Sequence, residues 1–166
     1  MLVRAALSFL KKNKKRRGTR DRMSGRSLVH QQHGDLKPRR TNSGQPTGRW
    51  KGTGYHSRPG GQDMRGRRTT NKVDRGNGVY DGKVEFKNPN PPPDWIPKSG
   101  NNARSTFFPD DWSPQKIDNA TTDAFNNRHT VQGNKWFGNS DGVEIMGYMD
   151  RNTGDIVHGF PNVNQF

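Results

Sequence analysis

Five histidines stand in this chain, at positions 30, 33, 56, 129 and 158, and three of them share its basic first half. Imidazole is the side chain whose ordinary pKa falls near neutrality, so two histidines in one cleft can take up one proton and deliver another. A lysine or arginine beside them adds a fixed positive charge for a developing oxyanion. Cleavage of RNA uses this trio directly, because RNA carries its own nucleophile in the 2′-OH. A base removes that proton, an acid protonates the leaving 5′-oxygen, and a cation offsets charge on the phosphorane. The scheme calls for no metal and no cofactor.

One setting stands out. In TGYHSRPGG, Thr53 to Gly61, His56 is flanked by Gly54, Pro59, Gly60 and Gly61 and followed closely by Arg58. Such a loop is shaped by its glycines and proline, and Arg58 keeps a permanent charge beside the imidazole. The segment HQQH, His30 to His33, also admits a metal-ligand reading. With only Asp35 nearby it makes a thin ligand set, and no metal site is expected.

Other residues carry two readings each. Lys83 in GVYDGKVEF stands on a polar strand face between Asp81 and Glu85, where a cross-face ion pair competes with a role in chemistry. Trp50, between Arg49 and Lys51, suits stacking on a base or packing. Tyr148 and Phe160 fit either a substrate surface or a hairpin core. Asp110 and Asp111 read as acids at a helix start rather than a catalytic pair.

The elements that must position these groups are legible in part. GVYDGKVEF sets Tyr80, Val84 and Phe86 on one face and Val79, Asp81, Lys83 and Glu85 on the other, the alternation of a half-buried strand. NPNPPPDWIPK can be neither helix nor central strand, since proline lacks the amide donor. Ser113 caps a predicted helix that opens on Pro114, with Ile117, Ala120, Thr121, Ala124 and Phe125 as its core stripe. GVEIMGYMD and DIVHGF flank RNTG and predict a terminal β-hairpin. From Leu28 to Gly61 the wealth of Gly, Pro, Asn and Arg reads mostly as loop.

Charge supplies the partner class. The chain of 166 residues carries a net charge of +14, which suits an anionic polymer. Residues 1–75 hold 21 lysines and arginines against 4 acids, while residues 76–166 hold 8 against 11, so attraction resides in the first half. Leu, Ile, Val and Phe total only 26 residues, concentrated after about residue 78. This distribution predicts one small α+β domain, residues 26–166, behind a basic, poorly ordered or short helical arm, residues 1–25. The apolar run Ala5 to Leu10 is too short to span a bilayer, and KKNKKRR rather than a cleavage site follows it, so it does not read as a signal peptide. With no cysteine, disulfides and thiolate zinc sites are excluded.

The segments VHQQHGD, TGYHSRPGG, GVYDGKVEF, STFFPDDWSPQKI, GVEIMGY and DIVHGFP follow one another in an order that resembles the bacterial EndoU endoribonuclease toxins. These are C-terminal modules of contact-dependent inhibition and polymorphic toxin proteins. The resemblance covers roughly residues 28–163 and implies an EndoU-like α+β domain with antiparallel sheets and a few helices. It implies His30 and His56 as acid and base, His33 as the alternative to His30, and Lys83 as the phosphate contact. His158, Phe160, Arg58 and Tyr148 are the expected substrate-binding residues. The family commonly closes with T-A-Y-P or T-A-F-P, and this chain has His158-Gly159-Phe160-Pro161, which lacks the hydroxyl that helps to hold uridine.

The resemblance further implies metal-independent cutting at uridine or another pyrimidine, leaving 2′,3′-cyclic phosphate ends. The implied partners are RNA, with tRNA among the candidates, and a cognate immunity protein. The expected setting is a free monomer, delivered as a toxin and acting in the target-cell cytoplasm. The competing reading is a basic RNA-binding protein without catalysis.

Overall fold

The structure is a computed structural model and describes residues 19–163. Most of the expected arm, residues 1–18, lies outside the described residues. Thr19 to Ser24, counted with the arm above, are tied to the domain. The Arg20 amide donates to Asp155, the Ile156 amide donates to the Arg20 carbonyl, and Arg22 pairs with Asp118. Met23 is 5% exposed within the main core.

Helix α1 spans Gly25–Gln32, capped by Ser24, whose side chain accepts from the Ser27 amide. It ends where Gly34 takes a φ of +76° and its amide returns to the Val29 carbonyl, the usual left-handed stop. Strands β1 (Asp35–Arg40) and β2 (Pro46–Thr53) then form an antiparallel hairpin. The stretch expected to be mostly loop therefore contains a helix and two strands. They escape the periodicity rule because α1 buries only Gln31 and the hairpin is largely exposed.

The central sheet is built on β4 (Val79–Lys87), the strand expected from GVYDGKVEF. Strand β3 (Arg67–Gly76) pairs along one edge. Along the other, β5 (Trp95–Pro97) covers Glu85 to Lys87 and β6 (Arg104–Phe107) covers Tyr80 to Lys83. The proline-rich run thus yields only a three-residue edge strand, as its missing amides require.

Helix α2 spans Pro114–Asn126, with the Ser113 hydroxyl accepting from the Lys116 amide. Its expected stripe, Ile117, Ala120, Thr121, Ala124 and Phe125, is buried. It packs on a second antiparallel sheet of β7 (Thr130–Gln132), β8 (Lys135–Ser140), β9 (Val143–Met149) and β10 (Ile156–Pro161), ordered β10-β9-β8-β7. β9 and β10 form the expected terminal hairpin.

Two apolar clusters result. Tyr55, Val84, Phe86 and Phe107 fill the space between central sheet and hairpin, while Phe108, Ile117, Phe125, Trp136 and Ile145 fill that between α2 and the second sheet. Neighbouring Phe107 and Phe108 enter opposite clusters, so the backbone of β6 locks the two halves together. The candidate site lies at this junction.

Candidate active site

The loop after β2 is fixed by backbone bonds to α1. The Tyr55 amide donates to the His30 carbonyl, and the His56 amide donates to the Gln31 carbonyl at 2.7 Å. This approach is so close that a Cβ on Gly54 would sit 2.2 Å from the His30 carbonyl oxygen, and Gly54 has a φ of +76°. Tyr55 is itself left-handed, at φ 74°, a conformation that a bulky residue holds only when its surroundings impose it. Its hydroxyl donates to Asp63 at 2.7 Å, and its ring is fully buried. The Phe108 amide closes the arrangement by donating to the His56 carbonyl.

His56 is 5% exposed, and its Nδ1 lies 2.6 Å from the Thr106 carbonyl oxygen. A carbonyl can only accept, so Nδ1 carries the proton and Nε2 is left bare. Phe160 stacks on the ring, with centroids 5.0 Å apart and planes at 16°. His30, at the end of α1, holds Nδ1 2.6 Å from Asp35 Oδ2 and keeps its side chain 28% exposed. Here too Nδ1 donates. Asp35 fixes the ring and offers a counter-charge to its protonated form.

The two rings are bridged by a third. His158 meets His30 edge-on at 4.6 Å between centroids and lies 5.4 Å from His56. Its strand is held by Gln31, whose amide donates to the Gly159 carbonyl and to Thr121 Oγ1. The Nδ1 of His158 is buried without a hydrogen-bond partner.

Lys98 completes the cluster from the turn after β5. It is 8% exposed and donates to Ser105 Oγ at 2.9 Å. That hydroxyl also lies 2.5 Å from the Tyr55 carbonyl and 3.2 Å from His56 Nδ1. Burial pulls the Lys98 ammonium down to about 8. Burial, then the charges of Lys98 and His158, hold His56 well below the ordinary imidazole value. Burial, followed by His30 and Lys98, brings His158 down to about 3. His56 and His158 are therefore neutral at pH 7, and Lys98 is largely charged.

His30, His56, Lys98, Tyr148, His158 and Phe160 line one cleft, with Ser105 and Thr106 at its floor. Lys83 does not line it. It is exposed on β4, opposite Thr70 and Arg104, and its flanking carboxylates are engaged by others: Asp81 by Arg75 and Arg104, Glu85 by Arg68. Arg58 is likewise outside the cleft. Its guanidinium is buried, donating to Asp63 and to the Tyr80 hydroxyl, so it braces the loop. His33 is exposed at the end of α1 and His129 is exposed beside Glu144, both away from the cleft. Asp110 precedes α2 by several residues and accepts from Tyr80.

Sequence reasoning did not single out Lys98, which the structure places in the cleft. One local signal existed: it follows Trp95, Ile96 and Pro97 with no acid within three residues, whereas Lys83 stands between two carboxylates. Among the described residues no group of three or more histidines and carboxylates is arranged to hold a metal ion. No described helix is long and apolar enough to cross a membrane.

The cleft thus joins two imidazoles with free Nε2 atoms to a buried amine. Residues 30–163 match the family described as bacterial EndoU nuclease, and the chain belongs to that family. The resemblance read from the ordered motifs thus holds. Over 93 residues, 55% of this chain, it is 41% identical to a curated protein of Bacillus cereus named "Toxin", and the match covers 16% of that relative's length. No solved structure matches the chain.

Proposed function

We propose that this protein is a toxin endoribonuclease that cuts RNA by attack of the 2′-OH on the adjacent phosphate. His56 is the base. Its bare Nε2 takes the 2′-OH proton as the 2′-oxygen–phosphorus bond forms. His30 is the acid, and its Nε2 delivers a proton to the 5′-oxygen as the phosphorus–oxygen bond to the leaving nucleoside breaks. The products are a 2′,3′-cyclic phosphate and a free 5′-OH. Lys98, rather than Lys83, faces the phosphorane charge, and its desolvated ammonium acts in a site where charge is weakly screened.

The observation that carries this reading is the unlike anchoring of the two rings. His56 Nδ1 rests on a carbonyl and His30 Nδ1 on a carboxylate. The first partner suits a neutral ring that gains a proton, and the second suits a charged ring that loses one. Phe160 and Tyr148, both on the cleft wall, offer rings for a flanking pyrimidine, with uridine as the proposed preference. No step here requires a metal. The kinship with a toxin supports delivery into a target cell and neutralisation by an immunity protein that covers the cleft.

The test is incubation of total RNA with purified protein, with and without chelator, followed by end-group analysis and mapping of cut sites. Cyclic phosphate ends after uridine in both arms are expected. Intact RNA in both arms would leave a basic RNA-binding protein as the better account. Loss of cutting with chelator would overturn the metal-independent scheme.

A further inference from the structure

The β1–β2 hairpin carries Lys37, Arg39, Arg40, Arg49 and Lys51 and, between Leu36 and Gly52, no acid at all. Among the described residues none of the five forms an ion pair. Their arrangement is directional. Asp35 lies opposite Thr53 and Lys37 opposite Lys51, and residues two apart on a strand share a face. One face of the hairpin therefore runs from Asp35 and Thr53 through Lys37 and Lys51 to Arg49. Asp35 holds His30, and Thr53 lines the catalytic cleft. The basic face is thus continuous with the cleft, and its only acid is already engaged.

Two further features identify the occupant. Lys37 directly opposite Lys51 is a like-charge cross-strand pair, which weakens a hairpin unless an anion lies between the two charges. Farther out, Arg39, Arg40, Thr47, Arg49 and Lys51 surround an open groove of about 430 Å³. The other face of the hairpin packs at its inner end, where Gly52 lies against the Phe86 ring. The repeated cations of the basic face match the repeated phosphates of a strand.

We propose that the β1–β2 hairpin is a docking rail for the sugar-phosphate backbone of the RNA beyond the scissile bond. It would bind without reading sequence and lengthen the footprint of the cleft. This inference rests on the RNA-cleaving function proposed above. It also separates two substrate classes: a dinucleotide fills the cleft alone, and only a longer strand reaches the rail.

The test compares the full chain with its R39Q/R49Q/K51Q variant on a uridine-containing dinucleotide and on a long single-stranded RNA of mixed sequence. The long RNA is expected to lose roughly tenfold in kcat/KM at moderate salt, and its salt dependence to flatten by about 2 in log–log slope, three contacts at about 0.7 each. Dinucleotide cleavage should stay unchanged. Equal losses on both substrates, or none on either, would overturn the rail. If the wild-type protein cuts neither substrate, the proposed function fails instead, and binding of the long RNA decides the rail by itself. Weakened binding in the variant supports it. Unchanged binding overturns it and leaves the face to an acidic protein partner.

Discussion

Lys98 donates to Ser105 Oγ at 2.9 Å, and the same hydroxyl lies 3.2 Å from Nδ1 of His56. One serine thus sets the position of the buried cation relative to the proposed base. Lys98→Ala is expected to lower kcat by about 10²-fold or more, the loss typical of removing one group that stabilises transition-state charge. Lys83→Ala should stay within a fewfold of wild type, since that side chain lies outside the cleft. Single-turnover cleavage rates of the two folded variants check this, and the opposite order would return the phosphate contact to Lys83.

Stability should carry the mark of the same lysine. Its folded value of about 8 lies below the ordinary 10.5, so between these limits the unfolded chain binds more protons than the native one. Stability therefore rises with pH across that window and is reduced below it, by about 3 kcal/mol for this shift. Lys98→Met should abolish this rise and should be more stable than wild type at pH 7. Urea unfolding of both proteins at pH 7 and pH 9.5 measures it, and parallel pH dependences would show that Lys98 does not titrate in this range.

The acid and base should separate in the pH–rate profile. His56→Ala and His30→Ala are each expected to cost about 10²-fold or more. In wild type the His56 limb should lie well below pH 6.5, because the folded ring is hard to protonate. Loss of charge from Lys98 should lower the rate further as pH rises through about 8. Lys98→Arg should move that alkaline fall upward. His33→Ala should retain both limbs and nearly full rate, and loss of a limb in that variant would exchange the roles of His33 and His30.

Gly54→Ala tests the loop. The new Cβ meets the His30 carbonyl oxygen at 2.2 Å in a backbone of φ +76°, so the loop must retreat from α1. A loss of at least about 2 kcal/mol is expected, with cleavage reduced beyond what stability explains because His56 moves with the loop. Thermal unfolding and rates at a temperature where the variant is folded distinguish the two effects.

Truncation locates the edge of the domain. A chain beginning at Thr19 keeps every contact described here. One beginning at Arg26 loses the Ser24 cap, the buried Met23 and the Arg20 and Arg22 ion pairs. Its melting temperature should be lower by several degrees, given about 1 kcal/mol for the cap and 2 or more for Met23. Equal melting temperatures would return residues 19–25 to the arm.

Much of this protein was legible as sequence because some signals are local. The cap at Ser113 with its apolar stripe, the alternation of β4 and the turn between β9 and β10 depend on residues within a few positions of one another, and each element formed as expected. Residue chemistry was local too, so His30 and His56 could be singled out before their rings were known to share a cleft. α1 and the β1–β2 hairpin were hidden because they bury so little apolar surface. The contact of α1 with β10 includes a buried glutamine amide that donates to the Gly159 carbonyl.

Only tertiary structure distinguishes the two lysines. Lys83 and Lys98 differ little as side chains, but β4 turns the first outward, whereas backbone bonds from Lys98 to Val84 and from Ser99 to Gly52 carry the second into the junction of two sheets. Burial there lowers its pKa and aims it at Ser105. That environment is assembled from residues 52, 55, 84 and 105, far apart in the chain.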